Sequence, residues 1–164
     1  MDEKVRQVLE NMPFWNKLEE QQRNLLLNNS RLINYQVGDR VYSGAGECLG
    51  MIFILEGSFR TYLLSDEGKE VTMYRLGKGD TCVLAASCIL SAITFEVEIQ
   101  AQEPTEALVL PAGMLARLTE ENVYLENFIY KEAAKRFSDV VEALQQMMFF
   151  SLTQRVAAFL LDES

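Results

Sequence analysis

The side chains able to do chemistry are few: three cysteines, Cys48, Cys82 and Cys88, and no histidine anywhere in 164 residues. Without histidine the chain lacks the usual general base, the commonest metal ligand and the commonest haem ligand together. An odd number of cysteines with no CxxC spacing gives no disulfide framework, and a reducing compartment keeps them as thiols. Cys82 and Cys88 are near enough in sequence to approach one another. A thiol sensor would need one of them exposed as a thiolate, whereas the plainer reading makes both small buried hydrophobes. Ser87 adjoins Cys88 with no base to activate it. The acid pairs Asp66-Glu67 and Glu120-Glu121 fall in turn or helix-start contexts, where carboxylates are solvated or cap a helix, so no catalysis attaches to them.

Composition narrows the partners. An apolar share of 49% suffices for one sizeable core. Fifteen basic residues against twenty-four acidic ones leave a formal charge of −9, which repels a phosphate backbone instead of attracting it. Nucleic acid is therefore not expected to bind this segment. The apolar runs Leu49 to Leu55 and Val83 to Leu90 fall far short of the ~20 residues that span a bilayer. The acidic start Met1-Asp2-Glu3-Lys4 is no signal peptide, so a cytoplasmic protein without membrane contact is expected.

The elements that must position these residues follow from periodicity. Val5, Val8, Leu9 and Met12 recur at helical spacing, Pro13 interrupts them, and the segment Leu18 to Leu27 resumes the pattern. Phe14, Trp15 and Tyr35 are expected to pin these two N-terminal helices to the main body. From Leu32 to Leu110, short runs rich in Val, Ile, Tyr, Phe and Thr are punctuated by Gly38-Asp39, Gly44-Ala45-Gly46, Gly57, Asp66-Glu67-Gly68 and Gly77-Lys78-Gly79-Asp80. That rhythm predicts a mainly β, jelly-roll-like antiparallel domain with flanking helices. Ser58 to Leu64 and Glu70 to Leu76 form a hairpin, with Gly68 supplying positive φ.

After Pro111 helical periodicity returns, first around Met114 to Leu118 and then from Tyr124 to Phe150. Phe137, Val141, Leu144, Met148 and Ser151 alternate spacings of four and three, a coiled-coil seam whose natural partner is a second copy of the same helix. A stripe of this kind equally suits a helix packed on its own domain, and periodicity alone leaves both open.

Three passages in this order resemble the CRP/FNR family of bacterial regulators. Met51-Ile52-Phe53-Ile54-Leu55-Glu56-Gly57-Ser58 resembles the family's strand ending in a turn glycine. Gly68-Lys69-Glu70-Val71 and Leu76-Gly77-Lys78-Gly79-Asp80 resemble its hairpin and the Gly-Asp turn before the ligand cassette. Ser151 to Leu161 resembles the segment joining the dimer helix to the DNA-binding domain. The resemblance implies a double-stranded β-helix like the cyclic-nucleotide-binding domain, an effector-sensing unit over residues 1–150 that includes a dimerisation helix over about 124–150, and a linker start over 151–164. It also implies a winged helix-turn-helix beyond Ser164, and promoter DNA and RNA polymerase as partners of the full-length regulator.

The cassette departs from the cyclic-AMP-binding members. Their Gly-Glu pair falls on Val83 and Leu84. The arginine that would grip a cyclic phosphate falls near Phe95, beside Glu96 and Glu98, and the purine-contacting pair of the dimer helix falls on Val140 and Val141. With no cation expected in the cavity, an apolar or neutral effector or a redox signal replaces the nucleotide. The family's carbon monoxide sensor places its haem ligands where Val83 and Ala85 stand, so no haem is expected. Three cysteines cannot supply a four-thiolate iron–sulfur cluster.

Candidate effector contacts are Cys82, Leu84, Ser87, Cys88, Phe95, Val140 and Val141. The effector would enter between the β-roll and the long helix and touch its Phe137 to Leu144 face. The candidate dimer seam is Phe137, Val141, Leu144 and Met148. No catalytic residue, metal or cofactor is assigned, and the chain reads as a homodimer that senses an unknown small molecule. The alternatives are a cupin-like metal-dependent enzyme, disfavoured by the missing histidines, and a stand-alone small-ligand or protein-binding module.

Overall fold

The computed structural model describes residues 2–43, 49–83, 85, 97–149 and 152–163, with Tyr42 and Ser43 described by backbone alone. Helix α1 (Glu3–Glu10) starts where the Asp2 side chain accepts the Lys4 amide at 2.9 Å. A 3-10 turn (Trp15–Lys17) and helix α2 (Glu20–Asn29) follow. Among the described residues eight strands come next: β1 (Arg31–Tyr35), β2 (Arg40–Ser43), β3 (Gly50–Glu56), β4 (Ser58–Leu64), β5 (Glu70–Gly77), β6 (Thr81–Cys82), β7 (Glu98–Ala101) and β8 (Thr105–Pro111). Helices α3 (Ala112–Glu121), α4 (Val123–Phe149) and α5 (Leu152–Asp162) complete the order.

The strands form two four-stranded antiparallel sheets, β1-β8-β3-β6 and β2-β7-β4-β5, which face each other as a jelly roll. Strands β3 and β8 explain their own sequences. Ile52 and Ile54 of β3 and Ala107 and Val109 of β8 enter the roll interior. Met51, Phe53, Leu108 and Leu110 alternate to the other face, under the helices. Strands buried on both faces read as unbroken apolar runs, because neither face needs a polar residue.

The β4–β5 hairpin closes as its sequence predicts: Gly68 takes φ +85°, its amide donates to the Ser65 carbonyl at 2.9 Å, and the Lys69 amide donates to Ser65 Oγ at 2.9 Å. The second core lies between β3, β8 and the helices. Phe14 and Trp15 are buried there, and Phe14 meets Phe128 of α4 edge-on with ring centroids 5.0 Å apart. Tyr35 does not join them. Its ring packs on Phe59 in the roll at 5.5 Å, because alternation along β1 turns it inward. Glu120 and Glu121 also differ from expectation: they occupy the last turn of α3, where Glu121 pairs with Arg117 at 3.3 Å.

Asn122 sets the start of α4. Its Oδ1 accepts the amides of Tyr124 at 3.0 Å and Leu125 at 3.1 Å, while its Nδ2 donates to the Lys17 carbonyl at 2.9 Å and to Gln22 Oε1 at 3.1 Å. One buried side chain thus caps the long helix and ties it to the N-terminal elements. Leu125, Phe128 and Ile129 anchor the first turns in the helical core, and Val140 packs against the roll interior further along. No described helix is long and apolar enough to cross a membrane.

Candidate functional site

Helix α4 presents two faces. Ile129, Glu132, Arg136 and Val140 recur at spacings of three and four, and all lie wholly or partly buried toward the domain. Phe137, Leu144 and Met148 lie opposite, with 70%, 49% and 64% of their surface exposed. Val141 is half-buried at the margin, and the exposed Tyr130 and Ala134 continue the heptad toward the helix start. Of the Phe137 to Leu144 stretch expected to touch the effector, Phe137 and Leu144 stand on the solvent side of the helix, while Val140, with the neighbouring Arg136, approaches the roll.

Beside β5, an edge strand of its sheet among the described residues, a cleft of about 650 Å³ opens toward α4 and α5. Met73, Tyr74 and Arg75 form its strand side, and Arg136, Asp139 and Glu142 its α4 side. Ala158, Phe159 and Asp162 of α5 close the third wall. Arg75 is committed to that wall: its guanidinium lies 5.4 Å from the Phe159 ring centroid and 3.7 Å from Glu163 Oε1, and its Nε donates to Gln102 at 3.2 Å.

Tyr74 connects this cleft to the roll interior, since its ring belongs to the same buried cluster as Cys82, Ala85 and Val97. Arg136 stacks over that ring, with its guanidinium carbon 5.6 Å from the centroid, and its Nη1 donates to Asp139 Oδ2 at 2.8 Å. Tyr74 stands opposite Thr61 in the β4–β5 register, so both hydroxyls face inward side by side without a hydrogen bond of normal geometry. Burial pushes the Tyr74 phenol well above the ordinary tyrosine range, and Cys82 adds to the rise. Thr61 and Arg136 pull it down, and Asp139 raises it. The Tyr35 phenol is raised chiefly by burial, with Arg31 opposing and Cys82 and Asp39 adding to it.

The expected effector contacts divide accordingly. Cys82 is fully buried and shares the roll cluster with Val140, whereas Val141 lies outside that cluster. Leu84, Ser87, Cys88 and Phe95 lie outside the described residues. Val83, which the resemblance aligned with a ligand-contacting pair, points away from the roll into the helical core. Sequence reasoning missed Tyr74, Thr61 and Arg136. It sought a cation only in the cassette, although Arg136 already occupied the inward stripe of α4, between Ile129 and Val140, where a charged residue is conspicuous.

The description "cyclic nucleotide-binding domain" matches residues 32–122, more than half of the chain. A crystal structure from Eubacterium rectale, assigned as a transcriptional regulator of the CRP/FNR family, shares 39% identity over 93% of this chain and 70% of its own, with a TM-score of 0.89. The chain belongs to the CRP/FNR family. More distant members share the fold. The c-di-GMP responsive global regulator CLP of Xanthomonas campestris matches at 17% identity, over 88% of this chain and 72% of its own, with a TM-score of 0.70. The sensor domain of the regulator DNR from Pseudomonas aeruginosa matches at 19% identity, over 91% and 97%, with a TM-score of 0.65. A comparison with curated protein sequences gives no match. As in other CRP/FNR structures, a roll is joined here to one long helix, and α4 both touches the roll interior and carries the exposed apolar stripe.

Proposed function

We propose that this chain is the effector-sensing and dimerisation domain of a cytoplasmic CRP/FNR-type transcription regulator, without catalytic activity and without haem or iron–sulfur cofactor. It reaches promoter DNA and RNA polymerase through the DNA-binding domain of the full-length regulator. The observation that carries this reading is the two-faced α4, whose inner residues Arg136 and Val140 alternate with the exposed Phe137, Leu144 and Met148. An exposed apolar stripe with this heptad spacing is best covered by the same stripe of a second copy.

Arg136 and Phe137 are neighbours on a rigid helix, so a ligand that draws the inner face toward the roll turns the seam with it. Two arrangements of the helix pair would then differ in effector affinity, and the effector would shift the population between them. A cyclic nucleotide is not the expected effector, because by the family resemblance Leu84 and Phe95 stand where a glutamate and a phosphate-gripping arginine would be needed.

Sedimentation velocity of the chain and of Leu144→Glu tests the seam: a dimer is expected for the first and a monomer for the second, and a monomer in both overturns the reading. Cyclic AMP at millimolar concentration is expected to leave the melting temperature unmoved. A clear rise would return the nucleotide to the site.

A further inference from the structure

The inner face of α4 supplies a cation that the cassette lacks. The Arg136 side chain is only 11% exposed, and while Nη1 is held by Asp139, its buried Nε has no hydrogen-bond partner among the described residues. Tyr74 Oη and Thr61 Oγ1 are likewise buried, on residues 8% and 0% exposed; they lie near one another, but neither makes a hydrogen bond of normal geometry to a described residue. A buried donor left unpaired is costly, and native structures leave few of them. Here three polar atoms collect where β4, β5 and α4 meet, and two of the residues that bear them line the cleft of about 650 Å³.

From this arrangement we infer that the effector is a small monocarboxylate with an apolar body, whose carboxylate accepts hydrogen bonds from Arg136 Nε and Tyr74 Oη. The inference rests on the sensor reading above and specifies its ligand class. Because the Tyr74 phenol keeps its proton through the physiological range, it is a donor to a carboxylate and not a competing anion. Thr61 stands behind the phenol, where its hydroxyl can accept or donate as the Tyr74 proton turns toward the ligand. Met73, Ala143 and Phe159 offer the apolar body its surface.

The charge on the cleft argues against larger anions. Two arginines, Arg75 and Arg136, face three carboxylates, Asp139, Glu142 and Asp162. Asp139 already neutralises much of the Arg136 charge, and Arg75 is engaged by Glu163 and Gln102. A dianionic phosphate would meet about twice the repulsion that a single carboxylate meets there, and a carboxylate needs only the buried Arg136 Nε–H and the Tyr74 hydroxyl as donors.

The test uses the whole chain labelled with ¹⁵N and sodium benzoate as probe, with benzamide as the neutral isostere and inorganic phosphate as the dianion. Arg136→Lys keeps a positive charge but removes Nε, and so identifies the Arg136 Nε–Hε resonance by its loss. Benzoate is expected to move that resonance saturably, and to bind about tenfold more tightly than benzamide or phosphate. It should raise the melting temperature of the native chain but not of Arg136→Lys, and Tyr74→Phe should bind it more weakly while melting cooperatively. The inference is overturned if benzoate leaves the resonance unmoved, if benzamide binds equally well, or if Arg136→Lys retains full binding. Sedimentation of the same samples separates the two levels: a dimer indifferent to benzoate removes the carboxylate alone, and a monomer removes the relay beneath it.

Discussion

Gly57 and Thr105 meet at the junction of β3 and β4 with no room between them: a β-carbon on Gly57 would strike the Thr105 hydroxyl, and would lie 2.6 Å from the Pro104 carbonyl oxygen and 2.7 Å from the Thr105 Cα. The single residue between the two strands takes φ +96°, which lets Thr105 Oγ1 accept the Ser58 amide at 3.1 Å. Gly68 shares the positive φ, but a β-carbon there meets open space. Gly57→Ala is therefore expected to cost about 3 kcal/mol or more, and Gly68→Ala about 1 kcal/mol, the strain of the left-handed backbone alone. Urea midpoints of the two variants check this, and equal losses would show that the close approach to Thr105 is not what fixes the junction.

Asn122 offers a second measurable point, because one side chain both caps α4 and donates to Lys17 and Gln22. Asn122→Ala removes the cap and leaves those buried acceptors short of a donor. The expected loss is about 2 kcal/mol. Amide exchange should also quicken in the first turn of α4 and in the 3-10 turn together; a change confined to α4 would mean that the contact across elements contributes nothing.

Stability at high pH depends on Tyr74. Its folded phenol titrates above the unfolded value, so below about pH 10 both states hold the proton and no difference arises. Above that, the unfolded chain releases a proton that the folded one retains, and stability falls as the pH rises. Tyr74→Phe is expected to lessen this alkaline loss in denaturation midpoints taken between neutral and strongly alkaline pH. Tyr35, also raised by burial, keeps a part of it. An unchanged alkaline slope in Tyr74→Phe would mean that the phenol is not held protonated.

The hairpin around Gly68, the helix break at Pro13 and the seam through Phe137 and Leu144 are local patterns, and each is written in consecutive or regularly spaced residues. The Phe137 stripe was ambiguous between self-packing and self-association, because a stripe does not say which face the domain already covers. The structure shows Leu125, Ile129 and Val140 turned to the domain and Phe137 left exposed.

By itself, then, the sequence determined the buried apolar runs of β3 and β8, the turn chemistry, the length of α4 and the family to which these belong. Each depends on backbone preference and the burial of apolar side chains, which act over short stretches of chain. Only the tertiary structure decided that Arg136, distant in sequence from the cassette, lies over Tyr74 and beside Asp139 at one wall of a cleft. Charge and hydrogen-bond pairing act through space between groups that the fold brings together, and no periodicity in the chain records which of them will meet.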